Sequence, residues 1–453
     1  MKPNRAELKA ELLKRAETNI EQFLDWLEQT HAPTLTQIED AVLRFRQEVG
    51  RAAAETAIQA QEAATVAPGP GCPKCGREMR AKAQKTKRVT SRVGDLGMKR
   101  HHYYCPHCQQ GLFPLDEQLH LWDRSCSEGV ARLAVWLCGQ VTAEGADQIL
   151  DQIGGIACSD TSIWRRVKRW GEKFKVLEQA RQQAANAMPP RGSVTPVPHG
   201  LSKDMGVSMD GIKINLRQEG WKELKVGCVF DIELRAERDE KTGEMVMQPH
   251  AVRNSYTAHL GGPERFGQAV WAEACYREFP FARDQVALGD GAPWIWNLTQ
   301  EHFGSSRQVV DWYHAKEHLY QAGRLAFGEG SPQAIRWAKG METPLYQGQT
   351  WRIAESIREL AQQHRCVATD LKTEAGYFET NAHRMQYLEL REEGFPIGSG
   401  MVESGGKQYR ARLAGAGMRW SRPMAERLIP IRTAILSDRF AETWRAAYNS
   451  PRK

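Results

Sequence analysis

Val207-Ser208-Met209-Asp210-Gly211-Ile212-Lys213-Ile214-Asn215 is the stretch on which the fold turns. It reads as a β-strand carrying one acidic residue. Leu224–Leu234 and a segment near Met245–Val252 read as two further strands. Pro263–Phe279 then reads as a helix, Gln285–Leu288 as a fourth strand and Gln308–Trp312 as a fifth. Three meandering strands followed by alternating helix and strand is the element order of a ribonuclease-H-like α/β domain. Residues 205–318 form the first part of this expected domain. Residues 319–395 lack strand alternation and read as a helical insertion, and 396–445 as a closing helix with C-terminal helices.

Such a domain gathers acidic ligands from its first strand, the end of its fourth strand and its closing helix. Asp210 in V-S-M-D-G, Asp290 in A-L-G-D-G and Glu403 in G-M-V-E-S fall on those elements. Phosphodiester chemistry with two divalent ions needs carboxylates converging from separate elements. Magnesium takes few of them and leaves positions for substrate oxygens. Asp-Gly is also an ordinary turn signal, and Asp204 and Asp231 are competing acids, so joint placement carries the assignment.

Upstream, Cys72-Pro73-Lys74-Cys75 and Cys105-Pro106-His107-Cys108 are two C-x-x-C knuckles. Each points two thiolates at one ion, and together they complete a four-sulfur structural zinc site. Lys87–Val93 and Met98–Tyr104 read as strands joined by a turn at Gly94–Gly97, which makes residues 69–115 a zinc ribbon with a long hairpin. The other six cysteines are scattered singly, as buried thiols in a reducing compartment are.

Helices are expected at Glu128–Gly139, Ala143–Ile153 and Thr161–Phe174, the last capped by Ser159 or Asp160. Its apolar stripe is Ile163, Val167, Trp170 and Phe174, with Arg165, Arg166, Arg169 and Lys173 on another face. That pattern makes residues 116–182 a helix-turn-helix with a basic DNA-reading face, although many helical hairpins share it. Residues 1–68 read as a helical arm and 183–204, rich in proline and glycine, as a linker.

The chain has 453 residues, 26% of them charged, and a net charge of +7. Its distribution matters more than its total. Residues 74–100 hold ten Lys or Arg against Glu78 and Asp95, and further basic clusters lie at 165–169 and 410–422. Separated basic clusters favour a nucleic-acid partner. No apolar stretch is long enough for a bilayer, and Met1–Glu7 has no apolar core behind its charges, so no membrane partner or secretory signal is expected.

The motifs S-M-D-G, G-D-G-A-P-W, D-W-Y-H-A-K-E-H-L, I-G-S-G-M-V-E-S-G-G-K and G-M-R-W-S-R-P, in this order, resemble those of DDE transposases of bacterial insertion sequences, most closely the ISKra family. The resemblance covers about Gly71 to Trp444. It implies a catalytic triad of Asp210, Asp290 and Glu403 working with Mg²⁺ or Mn²⁺. It also implies His314 of Asp311-Trp312-Tyr313-His314 near the active site, positioning the strand being cut. Double-stranded DNA (terminal inverted repeats and target) is the implied partner, with at least a homodimer in the DNA complex and a bacterial cytoplasmic, nucleoid-associated location. Lys407 and Arg410 share a helical face with Glu403 and would hold the scissile backbone, with Arg412 a weaker candidate. A non-catalytic DNA-binding regulator and a ribonuclease-H-like nuclease are the rival readings.

Overall fold

The structure is a computed structural model that describes residues 3–64, 69–121, 123, 125–186, 203–238 and 243–450. The fold is mixed α/β with two sheets, and it divides into two compact units, Met1–Val167 and Lys168–Lys453. Most of the expected linker, residues 187–202, lies outside the described residues, as do Ala67 and Pro68 of the break before the first knuckle.

The first unit opens with a helical hairpin, α1 (Arg5–Gln29) and α2 (Leu35–Gln59). Both start in capping boxes, Asn4 with Glu7 and Thr34 with Gln37, which satisfy amides that a helix start leaves open. The arm does not stand alone. Glu55 of α2 accepts from the Gly97 amide at 2.8 Å, and the Gln59 side chain donates to the Lys99 carbonyl at 3.3 Å. Those contacts join it to a three-stranded antiparallel sheet of β1 (Arg80–Ser91), β2 (Gly94–Cys105) and β3 (Gln110–Leu112). The hairpin turn is tighter and earlier than expected. Ser91 pairs with Gly94 across Arg92-Val93, and Gly94 adopts φ +95°, which favours glycine. Leu96, expected in the turn, is instead a buried strand residue, and Met98 is buried on the strand where it was expected.

After the short α3 (Pro114–Gln118) come α4 (Glu128–Gln140), α5 (Ala143–Gly154) and α6 (Asp160–Ala185). Ser127 and Thr142 cap α4 and α5, and Gly155 ends α5 in the left-handed region. The expected stripe of Ile163, Val167, Trp170 and Phe174 is buried. However, α6 runs past Phe174 to Ala185, and the boundary between the two units falls inside it. Its second half belongs to the second unit, where the Trp170 ring packs tilted against Trp444 and Phe174 meets Phe440.

The second unit is built on a five-stranded sheet. Its strands are β4 (Asp204–Leu216), β5 (Gly220–Arg238), β6 (Met245–Leu260), β7 (Gln285–Gly289) and β8 (Arg307–Val310), in the spatial order β6-β5-β4-β7-β8. The first three pair antiparallel, and β7 and β8 continue the sheet parallel to β4. Helices α7 (Pro263–Tyr276) and α8 (Pro293–His302) make the connections between β6, β7 and β8. The fifth strand ends two residues sooner than expected, because Asp311 caps α9 (Trp312–Phe327). Helices α10 (Pro332–Tyr346), α11 (Thr350–Gln363), α12 (Ala368–Thr380) and α13 (Tyr387–Glu392) follow. The chain closes with α14 (Gly400–Leu413), α15 (Arg422–Leu436) and α16 (Phe440–Asn449). Among the described residues, no helix is long and apolar enough to cross a membrane.

Candidate functional site

The parallel register of β4 and β7 aligns two of the expected acids. Ser208 lies opposite Leu288, so Asp210 and Asp290, each two residues further on, reach the same level of the sheet. Burial, then the charges of Asp290 and Glu403, hold the Asp210 carboxyl above its ordinary range. The Gly211 amide, donating to Asp210 Oδ1 at 2.6 Å, and nearby His314 act in the opposite direction.

Glu403 arrives on the first turn of α14. That helix packs against the sheet at Gly405-Gly406, where a side chain would clash at Gly405 and fit only tightly at Gly406. A Cβ on Gly405 would come within 2.3 Å of the Tyr256 ring. One on Gly406 would sit 3.2 Å from Ile212 and 3.7 Å from the Asp210 carboxylate. The lack of a side chain at Gly405 therefore lets α14 lie close to the sheet at the turn that carries Glu403. The Ser399 hydroxyl donates to Glu403 Oε1 at 3.2 Å, and Lys407 Nζ stands 4.0 Å from Oε2.

Asp311 is the residue whose function the sequence left undefined. It is fully buried, and its Oδ1 accepts both the His314 amide at 2.8 Å and His314 Nδ1 at 3.1 Å. Its Oδ2 accepts the Ser399 amide. Burial pushes the Asp311 carboxyl up, but these hydrogen bonds outweigh it and hold the group below its usual value. The bond from Asp311 in turn raises His314 to about 9. Donor atoms of Asp311, His314 and Glu403 lie within 4.8 Å of one another, a grouping that could hold a metal. The bonds that Asp311 accepts from the His314 amide and ring and from the Ser399 amide hold the two residues as a clamped pair beside Glu403. The available signal was local: Asp311 is the N-cap of α9 and His314 its third residue, the spacing of an N-cap bond.

In the other unit, Cys72, Cys75, Cys105 and Cys108 place their sulfurs within 4.8 Å of one another, with Cys72 and Cys105 buried. The first knuckle is closed by Gly76 N–H to the Cys72 carbonyl and Cys72 N–H to the Arg77 carbonyl, both 2.8 Å. Cys105 ends β2, and Tyr103 and Met79 pack beside the cluster. Cys75 and Cys105 sulfurs are 3.7 Å apart. A tetrahedral ion with metal–sulfur bonds of about 2.3 Å needs roughly 3.8 Å, so the set fits. Backbone amides of Lys74 and Cys75 help to lower the Cys72 thiol to about 7, whereas a bond to Cys75 and burial push Cys108 up to about 12. A divalent cation would stabilise all four thiolates together.

The basic candidates divide. Arg165 and Arg169 are exposed on α6, and Lys407 and Arg410 are exposed on α14. Arg166 is a correction. It is 4% exposed, donating to Cys126 Sγ at 2.9 Å, the Ser162 carbonyl at 2.8 Å and Ser125 Oγ at 3.0 Å, and it pairs with Asp123 at 3.2 Å. Three residues beyond Ile163 and next to Val167, it falls on the buried side of the helix. Lys173 is likewise taken up within its unit, donating to the Ala447 carbonyl at 2.8 Å and Ser450 Oγ at 3.2 Å. Arg412 is 2% exposed, with its guanidinium over Trp420. None of these three is placed to meet DNA. Exposed Lys82, Lys85, Arg88 and Lys99 on the β1–β2 hairpin give that region a basic surface instead.

No protein-family model matches the chain. Over 151 residues it is 26% identical to a Streptococcus gallolyticus protein described as "UPF0236 protein in vanSb 3'region". The match covers 32% of this chain and 31% of that protein's length.

Proposed function

We propose that the protein is a DNA transposase that cleaves the ends of an insertion element and joins them to target DNA. The observation that carries this reading is that Asp210 and Asp290 stand level on paired β4 and the end of β7, within electrostatic reach of Glu403 on α14. Three antiparallel strands continued by two parallel ones support a ribonuclease-H-like catalytic domain, with α9–α13 as its helical insertion. Hard carboxylate oxygens suit Mg²⁺ or Mn²⁺, and burial first, then the charges of Asp290 and Glu403, raises the Asp210 carboxyl. Such ions, when bound, activate the attacking oxygen and stabilise the leaving one.

The chain's own residues hold and orient the substrate. His314, kept protonated by Asp311, donates to a phosphate oxygen of the strand being cut. Lys407 and Arg410, on the Glu403 side of α14, bind its backbone. The four thiolates hold a structural Zn²⁺ that pins the base of a zinc ribbon. Its hairpin, with Arg165 and Arg169 of a helix-turn-helix, engages the terminal inverted repeats. Joining two ends calls for at least two protomers in the DNA complex.

The test is incubation in Mg²⁺ with DNA carrying the gene's own flanks, comparing wild type with Asp290→Ala. Strand cuts at the repeat ends and joined products from wild type alone are expected. Equal cleavage by both proteins would overturn the assignment. Breaks that are never joined would indicate a nuclease, and binding without cleavage would indicate a regulator.

A further inference from the structure

The turn that carries Asp290, between β7 and α8, is gripped by the helices that follow the sheet. The Tyr377 hydroxyl on α12 donates to the Asp290 carbonyl oxygen at 3.1 Å. Its ring closes over the next residue. A Cβ on Gly291 would lie 2.7 Å from that ring, and Gly291 adopts φ +103°, where a side chain is strained. The Asp290 carboxyl follows this backbone, because its Oδ1 accepts the Ala292 amide at 2.8 Å. The Tyr377 ring is itself fixed. His318 of α9 stacks on it with centroids 3.7 Å apart and planes 21° from parallel, and Phe378 meets it edge-on at 5.5 Å. Glu374 Oε2 lies 2.8 Å from His318 Nδ1 and sets the imidazole's orientation. His314 and His318, four residues apart on α9, share a helix face. One face of α9 thus serves both sides of the carboxylate cluster: His314 meets Asp311 near Glu403, and His318 backs the tyrosine that holds Asp290.

We infer that Tyr377 is a positioning residue: it fixes the Asp290 turn, so that the docked helices α9 and α12 complete the divalent-metal site. The inference rests on the carboxylate cluster holding such an ion, as in the DNA-cleaving reading, and adds the part of the fold that sets its affinity. Tyr377 touches neither ion nor substrate and acts through Asp290 alone. A carboxylate on a loose turn loses conformational freedom when an ion binds, and that loss weakens affinity; one already fixed has little left to lose. Groups that orient metal ligands typically alter metal affinity by roughly 10–100-fold when removed.

The experiment titrates Mn²⁺ into the full chain without DNA and reads the free ion by EPR, counting only binding that Asp290→Ala abolishes. Tyr377→Ala should weaken Mn²⁺ binding roughly tenfold. Tyr377→Phe, which keeps the ring over Gly291 but loses the hydroxyl, should weaken it roughly threefold. His318→Ala should also cost roughly threefold, whereas His318→Phe preserves a stacked ring and keeps wild-type affinity. A tyrosine that merely packs would lower the thermal midpoint of Tyr377→Ala and leave Mn²⁺ affinity unchanged, and that result overturns the inference. If Tyr377→Ala fails to fold, wild-type Mn²⁺ affinity in both Tyr377→Phe and His318→Ala overturns it equally. Cleavage of the flanking DNA by the same proteins separates the two readings. Variants with unchanged Mn²⁺ affinity beside a cleaving wild type remove the positioning role alone. Weakened variants of a wild type that binds Mn²⁺ but never cuts remove the transposase reading and keep the positioning role. A wild type that binds no Mn²⁺ removes both.

Discussion

The sulfur cluster and the carboxylate cluster both gather groups that repel one another when ionised, yet the chain assembles them by opposite means. Each cysteine pair is made by a four-residue knuckle, and one hairpin brings the knuckles together. The acids come from strands and a helix far apart in sequence, and only sheet register and close helix packing unite them. The first is a set of soft ligands spaced as a tetrahedral ion would need them. The second is an open set of hard oxygens. A closed set serves to hold structure, and an open one leaves room for a reacting group.

This contrast predicts separable failures. Asp210→Asn should lower cleavage of flanking DNA by on the order of 10³-fold, the several kcal/mol such a metal-held charge supplies. Its thermal midpoint without added divalent ions should stay level or rise, since the substitution removes a carboxylate that burial and its neighbours disfavour. A large drop in midpoint would erase the distinction. Cys105→Ser should instead take zinc content from about one ion per chain to near zero by elemental analysis, and expose the β1–β2 hairpin to limited proteolysis. Full zinc retention would break the four-thiol assignment.

A smaller effect separates two adjacent arginines. Arg166→Met should cost about 3 kcal/mol in denaturant unfolding, because it strands Asp123 and the surrounding polar groups. Arg165→Ala should change stability by less than about 0.5 kcal/mol while weakening salt-sensitive DNA binding. The reverse pattern would restore Arg166 as a DNA contact. The smallest effect is on His314. In metal-free protein its ring should titrate near 9, followed by NMR, and Asp311→Asn should return it toward 6.5. With the folded value raised, the pair's stabilisation is complete below about pH 6.5 and is lost as pH rises through 9. A ring titrating near 6.5 in the unsubstituted protein would dissolve the clamp.

What the sequence made legible follows from the same contrast. Local patterns reported faithfully: the knuckle spacing located all four thiols, and helical periodicity found the Ile163–Phe174 stripe. The same periodicity does not fix which charged residues face solvent. Arg166 and Lys173 each lie three residues after a stripe residue, close enough in angle to be drawn inward, and each has polar partners that only the fold supplies. The turn of the β1–β2 hairpin falls earlier because Gly94 occupies a left-handed position that spacing alone does not assign. Asp210, Asp290 and Glu403 could be named from their neighbours, but not the alignment that unites them. Asp311 looked like part of a motif, and its burial beneath Ser399 and His314 gave it a task.

The alignment of β4 with β7 has one more consequence. Side chains alternate between faces along a strand, so a slip of one residue would turn Asp210 or Asp290 to the opposite side. A molecule with that misfold would keep its hydrophobic strands and lose its acid pair at once. Any chemistry that needs both carboxylates therefore proofreads its own folding, because a mispaired sheet loses that chemistry before any quality control in the cell has to find it.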